Sequence, residues 1–484
     1  MALNLTRNSR VWVTSNLDGN GDIALTGFTP TNTQEIQILA GYAASQSTEA
    51  QVVTVAEAGE APLRSQRSFN TKLNPVDWSL TQYVRPDLDT VAVPNRIIAE
   101  EAALLNAMFS PYAIGTKVTM TFTSAVYTYT AATASTPQSG VLVITGTGIT
   151  GAKVGDVVTV QGLTLTVPGA NDLANMNSVA TITAISGTSI TIAYSQPAAI
   201  TGTTPVIAAT GGLFLSAWSY GIPSIVTPGN SNVNQLQRIG LIFQIDNVTY
   251  LVNRVAVNGF SLDFGLDQIS QYAFTGFGES MRETASALTV TGSTFSGALT
   301  GTFTAKLTVA NYITNKLTTV KLVSVDALGT TPAGGEYKIA LTGGSMTFDN
   351  GIQYLTPENL AVVNLPIGYY TGTRSMTGTM TAYLKTGAGV QGTGQMLADM
   401  LADASKAIEP MFTMQISVGG SNNAVKVVFD MMATLTIPSV KVEDVVSTDI
   451  NFTAASWTKA TNNTTTPDFS LDYANEFRIG YYSN

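Results

Sequence analysis

The stretch "LNPVDWSLTQYVRP" (73–86) alternates apolar and polar side chains along one strand. Val76, Trp78, Leu80 and Val84 fall on one face, with Asp77, Ser79, Thr81 and Tyr83 on the other. Three hundred residues later, "TRSMTGTMTAYLKT" (373–386) repeats the alternation when Tyr83 is laid on Tyr383. Met376, Met380 and Leu384 then form the apolar face, and Thr377, Thr379 and Thr381 lie opposite. A strand that recurs with one apolar face and one short, unreactive polar face predicts a duplicated sheet.

The repeat extends outward from these strands. The first copy runs "EIQILAG" (35–41), "VDWSLTQYV" (76–84), a helix predicted over 95–110, and "NGFSLDFGLDQISQYAFTG" (258–276). The second runs "YKIALTGG" (337–344), "MTGTMTAYL" (376–384), a helix predicted over 394–409, and "IPSVKVEDVVSTDINFTA" (437–454). Both helical stretches place apolar residues three and four apart and end at a proline, Pro111 or Pro410. Elsewhere strand patterns dominate, punctuated by turn dipeptides at Asn20-Gly21, Asn258-Gly259, Gly343-Gly344, Asn350-Gly351 and Gly419-Gly420.

Early landmarks are offset by 300 residues and late ones (Phe274 to Phe452) by 178, which leaves 122 extra residues inside the first copy. There lies a nearly uncharged segment, 126–212, with short alternating strands such as "GVLVITGTGITGAKVGDVVTV". The expected architecture is mainly β. Residues 1–125 with 213–285 form the first domain, 126–212 an inserted β-sandwich, and 286–484 the second domain. Each repeated domain is a β-sandwich or barrel with one flanking helix.

Charged residues make up 11% of the chain, against about 25% in an average soluble protein. The polar surface is therefore built from Thr, Ser, Asn and Gly. A net charge of −9 argues against a protein that grips nucleic acid, which requires clustered Lys and Arg. It leaves room for nucleic acid passing by without sticking. The absence of both Cys and His removes disulfides, thiol nucleophiles, the usual zinc sites and every Ser-His or Cys-His relay. "MALNLTRNSRVWV" has no basic stretch leading into an apolar core, so no export signal and no membrane binding are expected. No apolar run approaches the ~18–20 residues that span a bilayer.

The candidate chemistry reads as structural. "LDGNGDIAL" (17–25) places Asp18, Asn20 and Asp22 at the start of a calcium-loop spacing, but the bidentate Glu and the flanking helices are missing. A hairpin turn is expected. The carboxylate pairs Asp263/Asp267, Glu443/Asp444 and Glu100/Glu101 do not place two acids in contrasting environments of one cleft. Asp263 and Asp267 are read as decorating a polar strand face. "TGTGITGAKVG" (145–155) is not followed by a helix or by Gly-Lys-Ser/Thr, so it cradles no phosphate. No enzyme activity, cofactor or metal is expected.

"LTRNSRVWVTS" (5–15), "NTQEIQI" (32–38), "VTVAEAGEAPLRSQRSFNTKLNPVDWSLTQYVRP" (53–86), "IALTGGSMTFDNGIQYLTP" (339–357) and "NLPIGYYTGTRSMTGTMTAYL" (364–384) resemble the tail tube proteins of T-five-like long-tailed phages. The likeness covers both copies and not the insertion. It implies sandwich domains whose inner strands join neighbours into a barrel around a lumen. A fused pair implies trimeric, pseudo-hexameric rings that stack into the channel for genome ejection. Asp77, Ser79, Thr81, Asp263, Asp267, Thr377, Thr379, Thr381 and Glu443 are then the expected lumen-facing residues. The implied partners are the chain itself, a tape measure protein, tail terminator and tail-tip proteins, and double-stranded DNA sliding non-specifically through the lumen. The implied location is the virion tail, with the host cytoplasm during assembly. Family members carry an immunoglobulin-like decoration at the C-terminus, whereas here the decoration is expected inside copy one. Two alternatives are an inner tube or sheath component of a contractile tail, and a surface carbohydrate-binding β-module. The second would require a signal peptide or clustered exposed aromatics.

Overall fold

The computed structural model describes residues 9–53, 67–89, 96–109, 118–130, 139–147, 157–159, 179–194, 206–207, 213–215, 217–221, 236–308, 312–324, 328–331, 335–356, 365–385, 392–402, 411–419, 425–441, 446–455 and 477–483. The N-terminal copy contains β1 (Ser9–Thr14), β2 (Thr33–Ile36), β3 (Ala43–Val53), β4 (Arg67–Tyr83), α1 (Ala102–Phe109), β5 (Ile239–Ile245), β6 (Val248–Asp263) and β7 (Gln271–Gly278). The C-terminal copy contains β8 (Thr319–Ser324), β9 (Glu336–Lys338), β10 (Leu341–Asp349), β11 (Ser375–Tyr383), α2 (Thr393–Ala402), β12 (Met411–Val418), β13 (Val425–Leu435), β14 (Ser439–Lys441), β15 (Ser447–Ala455) and β16 (Phe477–Ser483). Other strands are named by their residues.

One antiparallel path crosses both copies in the order β3–β4–β7–β6–β10–β11–β15–β14. The expected mainly-β architecture is what the chain adopts. Along β4 and β11 the predicted faces hold: Val76, Trp78, Leu80, Val84, Met376 and Met380 are buried, while Leu384 is half-buried. Each large side chain so buried contributes roughly 1.5–3 kcal/mol, and a one-residue slip would forfeit all of them together.

A second set of strands backs this path. In copy one it runs β2–β1–β5–β6, and in copy two β9–β8–β12–β13. The first half of β6 pairs with β5 and its second half with β7 and β10, so one long strand serves both sets. The changeover needs a bulge, and the register shifts between Val257 and Gly259. Asn258-Gly259, expected as a turn, is therefore a bulge inside a strand. Glycine is required there because a Cβ at 259 would stand 2.2 Å from the Phe348 carbonyl oxygen. Gly343-Gly344 likewise lies within β10, where a Cβ at 344 would meet the Phe264 ring at 2.6 Å. Asn350-Gly351 does turn, with Gly351 at φ +61°.

The register also corrects the repeat. Tyr83 faces Gln271 and Tyr383 faces Ser447, so across β7 and β15 the offset is 176, not 178. Between β6 and β14 it remains 178, because Asp263 faces Gln271 as Lys441 faces Ser447. The matched pairs then show an inversion. Trp78 lies opposite Gly276 in copy one, and Gly378 lies opposite Phe452 in copy two. Each ring occupies the space over its glycine, where a Cβ would come within 2.6 Å of Trp78 or 2.2 Å of Phe452.

One apolar core runs through both copies and takes in the two helices through Leu104, Leu105 and Met108 of α1 and Met396 and Met400 of α2. The helix expected over 95–110 begins only at Ala102, because Arg96–Ile98 forms a short strand with Asp87–Asp89. Glu100 and Glu101, just before α1, are buried and committed to tertiary partners. α2 begins at Thr393, one residue before the expected start, and residues 403–410 lie outside the described residues, as does Pro111. Asp399 pins α2 to the rest of copy two. It accepts hydrogen bonds from Thr330 N–H and Oγ1 (3.0 Å each), Thr331 Oγ1 (2.6 Å), Tyr337 Oη (3.0 Å) and Gln395 Nε2 (2.8 Å).

Within the first copy a separate seven-stranded sheet runs from the strand Val118–Thr130 to Leu213–Leu215. Its core side chains include Tyr127, Leu142, Ile144, Ile190 and Ile192, all buried. Downstream, Leu288–Thr291, Thr294–Gly297 and Thr300–Thr302 form a small sheet with Thr26–Phe28. That sheet packs Phe295, Leu299 and Phe303 around Trp12 of β1.

Candidate functional site

Because strand side chains alternate, burying one face of the continuous sheet leaves a second face, and the register decides which residues share it. One row across the strands reads Thr81, Ala273, Ser261, Thr347, Thr377, Thr453. The next reads Tyr83, Gln271, Asp263, Ser345, Thr379, Asn451. Asp77 and Ser79 continue the face along β4, and Thr381, paired with Asp449, continues it along β11. Asp77, Asp263 and Thr377 are exposed, and Ser79, Thr81, Thr379 and Thr381 are partly so.

Seven of the nine residues expected on this face are therefore brought together. Asp267 is not among them: β6 ends at Asp263, and Asp267 sits in the turn that follows. The strand stops short of the second acid because the chain turns from Gly265, whose carbonyl accepts from Gln268 N–H at 3.2 Å. Glu443 lies outside the described residues. The expectation missed Ser261, Ser345, Thr347, Asn451 and Thr453, although "GSMTFD" and "STDINFT" carry the same alternation.

The chemistry of the face is short, hydroxyl-rich and mildly acidic. Thr379 Oγ1 donates to Asn451 Oδ1 at 2.8 Å, and Thr381 Oγ1 to Asp449 Oδ1 at 3.0 Å. Such cross-strand bonds hold the side chains flat against the sheet. Asp77, Asp263, Asp349 and Asp449 supply negative charge, and the face positions of β4, β7, β6, β10, β11 and β15 named above contain no Lys or Arg. A surface of this kind repels phosphate weakly and offers no adhesive cation.

The other acids read from sequence have structural roles away from the face. Asp18 Oδ1 accepts from the backbone N–H groups of Asn20 (2.8 Å) and Asp22 (3.0 Å), closing the turn with its own carboxylate. The cation beside this loop is Arg254, which pairs with Asp22 at 3.3 Å and Glu279 at 2.5 Å. Glu100 pairs with Arg85 at 2.5 Å and accepts from Gln37 N–H at 2.9 Å. Glu101 is enclosed: Tyr481 Oη of β16 donates to it at 2.5 Å and Gln82 Nε2 at 3.2 Å. Burial pushes the Glu101 carboxyl up to about 7, against the lowering effect of the Tyr481 hydrogen bond. The adjacent pair thus holds α1 against β4 and the C-terminal strand rather than forming an acid–base couple in a cleft.

No family model matches the sequence. The chain is similar to tail tube protein pb6 of Escherichia phage T5, with 24% identity over 461 residues that cover 94% of this chain and 73% of that protein. The similarity spans both sheet copies, as expected, but at 94% of the chain it also takes in most of 126–212, which the resemblance was expected to leave out; this chain is a relative of the tail tube proteins of T5-like phages.

Proposed function

We propose that this chain is the structural subunit of a phage tail tube, that three copies close a ring with six equivalent sheet positions, and that stacked rings form the channel for genome ejection. The observation that carries this reading is the β6–β10 junction, where copy one and copy two are already neighbours in one continuous sheet. Each copy contributes four adjacent strands: β3, β4, β7 and β6, or β10, β11, β15 and β14. Six positions would give twenty-four strands, and at ~4.8 Å per strand the wall measures roughly 115 Å around, more once the strands tilt. That leaves a lumen wide enough for a duplex.

In this reading the polar face, including Ser79, Thr81, Asp263, Thr377, Thr379 and Thr381, lines the channel, and the scarcity of cations on it, with Lys441 of β14 at the register position of Asp263, lets DNA slide. The subunit acts structurally rather than as an enzyme. It assembles from the host cytoplasm into the virion tail. Its further partners are a tape measure protein inside the tube and terminator and tip proteins at the ends. The sheet between 118 and 215 protrudes outward, which suits a tail without an enclosing sheath. Cryo-electron microscopy of purified tubes tests the reading. True threefold and approximate sixfold symmetry are expected, and a ring of six complete chains would overturn it.

A further inference from the structure

Asn20-Gly21, Asn258-Gly259 and Asn350-Gly351 are the three Asn-Gly pairs of the chain. In such a pair the Gly backbone nitrogen can attack the Asn side-chain carbonyl, because no Cβ stands beside that nitrogen to block the approach. The sequence makes the three pairs equivalent. The fold separates them, by what holds the side-chain amide and what holds the nitrogen.

Asn350 is 6% exposed, and its amide donates to the Met108 carbonyl at 3.0 Å and the Val257 carbonyl at 3.3 Å. The nitrogen that would attack it is also engaged, since Gly351 N–H donates to Asp349 Oδ1 at 2.7 Å. Asn258 Oδ1 accepts from Ile352 N–H at 2.8 Å, and its main-chain carbonyl accepts from Asn350 N–H at 2.8 Å. Gly259 is buried in the sheet, with Thr275 of β7 on one side and Asp349 of β10 on the other. Turning its nitrogen toward the Asn258 side chain would break the sheet where the two copies join. Both pairs are locked.

Asn20 differs on each count. It is exposed, and its one hydrogen bond among the described residues is made by the backbone, N–H to Asp18 Oδ1 at 2.8 Å. Its side-chain amide is therefore free to turn. Gly21 lies in the left-handed region at φ +85°, and its N–H donates to the Asp18 carbonyl at 2.9 Å. That single bond closes a turn in which Asp18, Gly19 and Asn20 are all exposed, so it can open without disturbing a sheet.

We infer that Asn20 is a site of spontaneous covalent modification, in which Gly21 closes an imide on the Asn20 side chain and water opens it to aspartate or isoaspartate. The Gly21 nitrogen gives up its proton and bonds to Asn20 Cγ. The Cγ–Nδ2 bond breaks, and Nδ2 departs with that proton as ammonia. Water then adds to the imide: opening at Cγ leaves aspartate on a normal backbone, and opening at the main-chain carbonyl routes the chain through the side chain as isoaspartate. Either product adds a carboxylate to a turn that already carries Asp18 and Asp22. The cation there is Arg254, already paired with Asp22 at 3.3 Å and Glu279 at 2.5 Å. Arg254 also accepts from Tyr354 of copy two through its carbonyl at 2.6 Å, so the modified turn adjoins a contact between the copies.

The wild-type chain suffices for the test. Folded protein, and the same protein unfolded in urea, are aged at mildly alkaline pH and mapped by mass spectrometry, with isoaspartate counted by enzymatic methylation. In urea the three pairs should convert alike. In the folded chain Asn20 should convert within ~10-fold of its unfolded rate, whereas Asn258 and Asn350 should be slowed by ~100-fold or more, because they react only through openings of packed structure. Protection of Asn20 as strong as that of the other two, or conversion of either of those as fast as Asn20, would overturn the inference.

Discussion

Replacing Glu101 with Gln should flatten the pH dependence of protomer stability and raise stability in alkali. Glu101 is fully enclosed, and burial holds its carboxyl at about 7 in the folded chain, against an ordinary value of 4.5. A folded value above the unfolded one means the folded state favours the proton. The contribution is complete below the ordinary value and is lost as pH rises through about 7. At ~1.4 kcal/mol per unit, the loss is about 3 kcal/mol between mildly acidic and mildly alkaline solution. Gln keeps the acceptor for Tyr481, and Gln82 Oε1, which has no hydrogen-bond partner, can turn to receive the new amide N–H. Urea unfolding of wild type and Glu101→Gln from pH 5 to pH 9 measures the effect. Wild type should lose ~3 kcal/mol relative to the variant across that range, with the curves converging at acid pH. Parallel curves, or a wild type that gains on the variant as pH rises, would refute the reasoning.

Asp399 should act in the opposite direction. Burial raises its carboxyl, but the bonds from Thr331, Thr330 and Gln395 outweigh this and hold it below its ordinary value, so Asp399→Asn should lessen the loss of stability below pH ~4, read by acid melts. Phe452→Ala should cost ~3–5 kcal/mol, because it leaves a void over Gly378, which has no side chain to move into it; chemical denaturation measures this, and a cost below about 1 kcal/mol would mean the pair is not packed as described. Ser79→Lys with Thr379→Lys should leave assembly intact but slow DNA ejection at low salt more than at high salt, since cations in the wall would hold phosphate. Normal ejection timing at every salt concentration would place these residues away from the lumen. Replacing 118–215 with a short Gly/Ser bridge should leave tubes that still form under the electron microscope; loss of polymerisation by a folded protomer would make that sheet part of the ring contact.

The alternating faces of β4 and β11 were readable from sequence because alternation depends only on the backbone's two-residue period and on the transfer of Trp78, Leu80, Met376 and Met380 out of water. The duplication was readable for the same reason, and the lack of thiol and imidazole side chains was readable from composition alone. Tertiary structure alone decided the register that brings Thr81 into line with Ser261, Thr347 and Thr377 across both copies. Hydrogen-bond partners far apart in the chain leave no local trace. The same holds for Asn258-Gly259, a turn by its composition but a bulge because the Phe348 carbonyl occupies the space beside it. Glu100 and Glu101 fell inside the helix expected over 95–110, yet they lie just before α1, with Glu100 bonded to Arg85 and Glu101 to the distant Tyr481. Asp267 shows the limit most simply: pattern extends a strand as far as alternation continues, whereas the folded chain turns from Gly265, where Gln268 N–H bonds back to the Gly265 carbonyl, and carries Asp267 off the face.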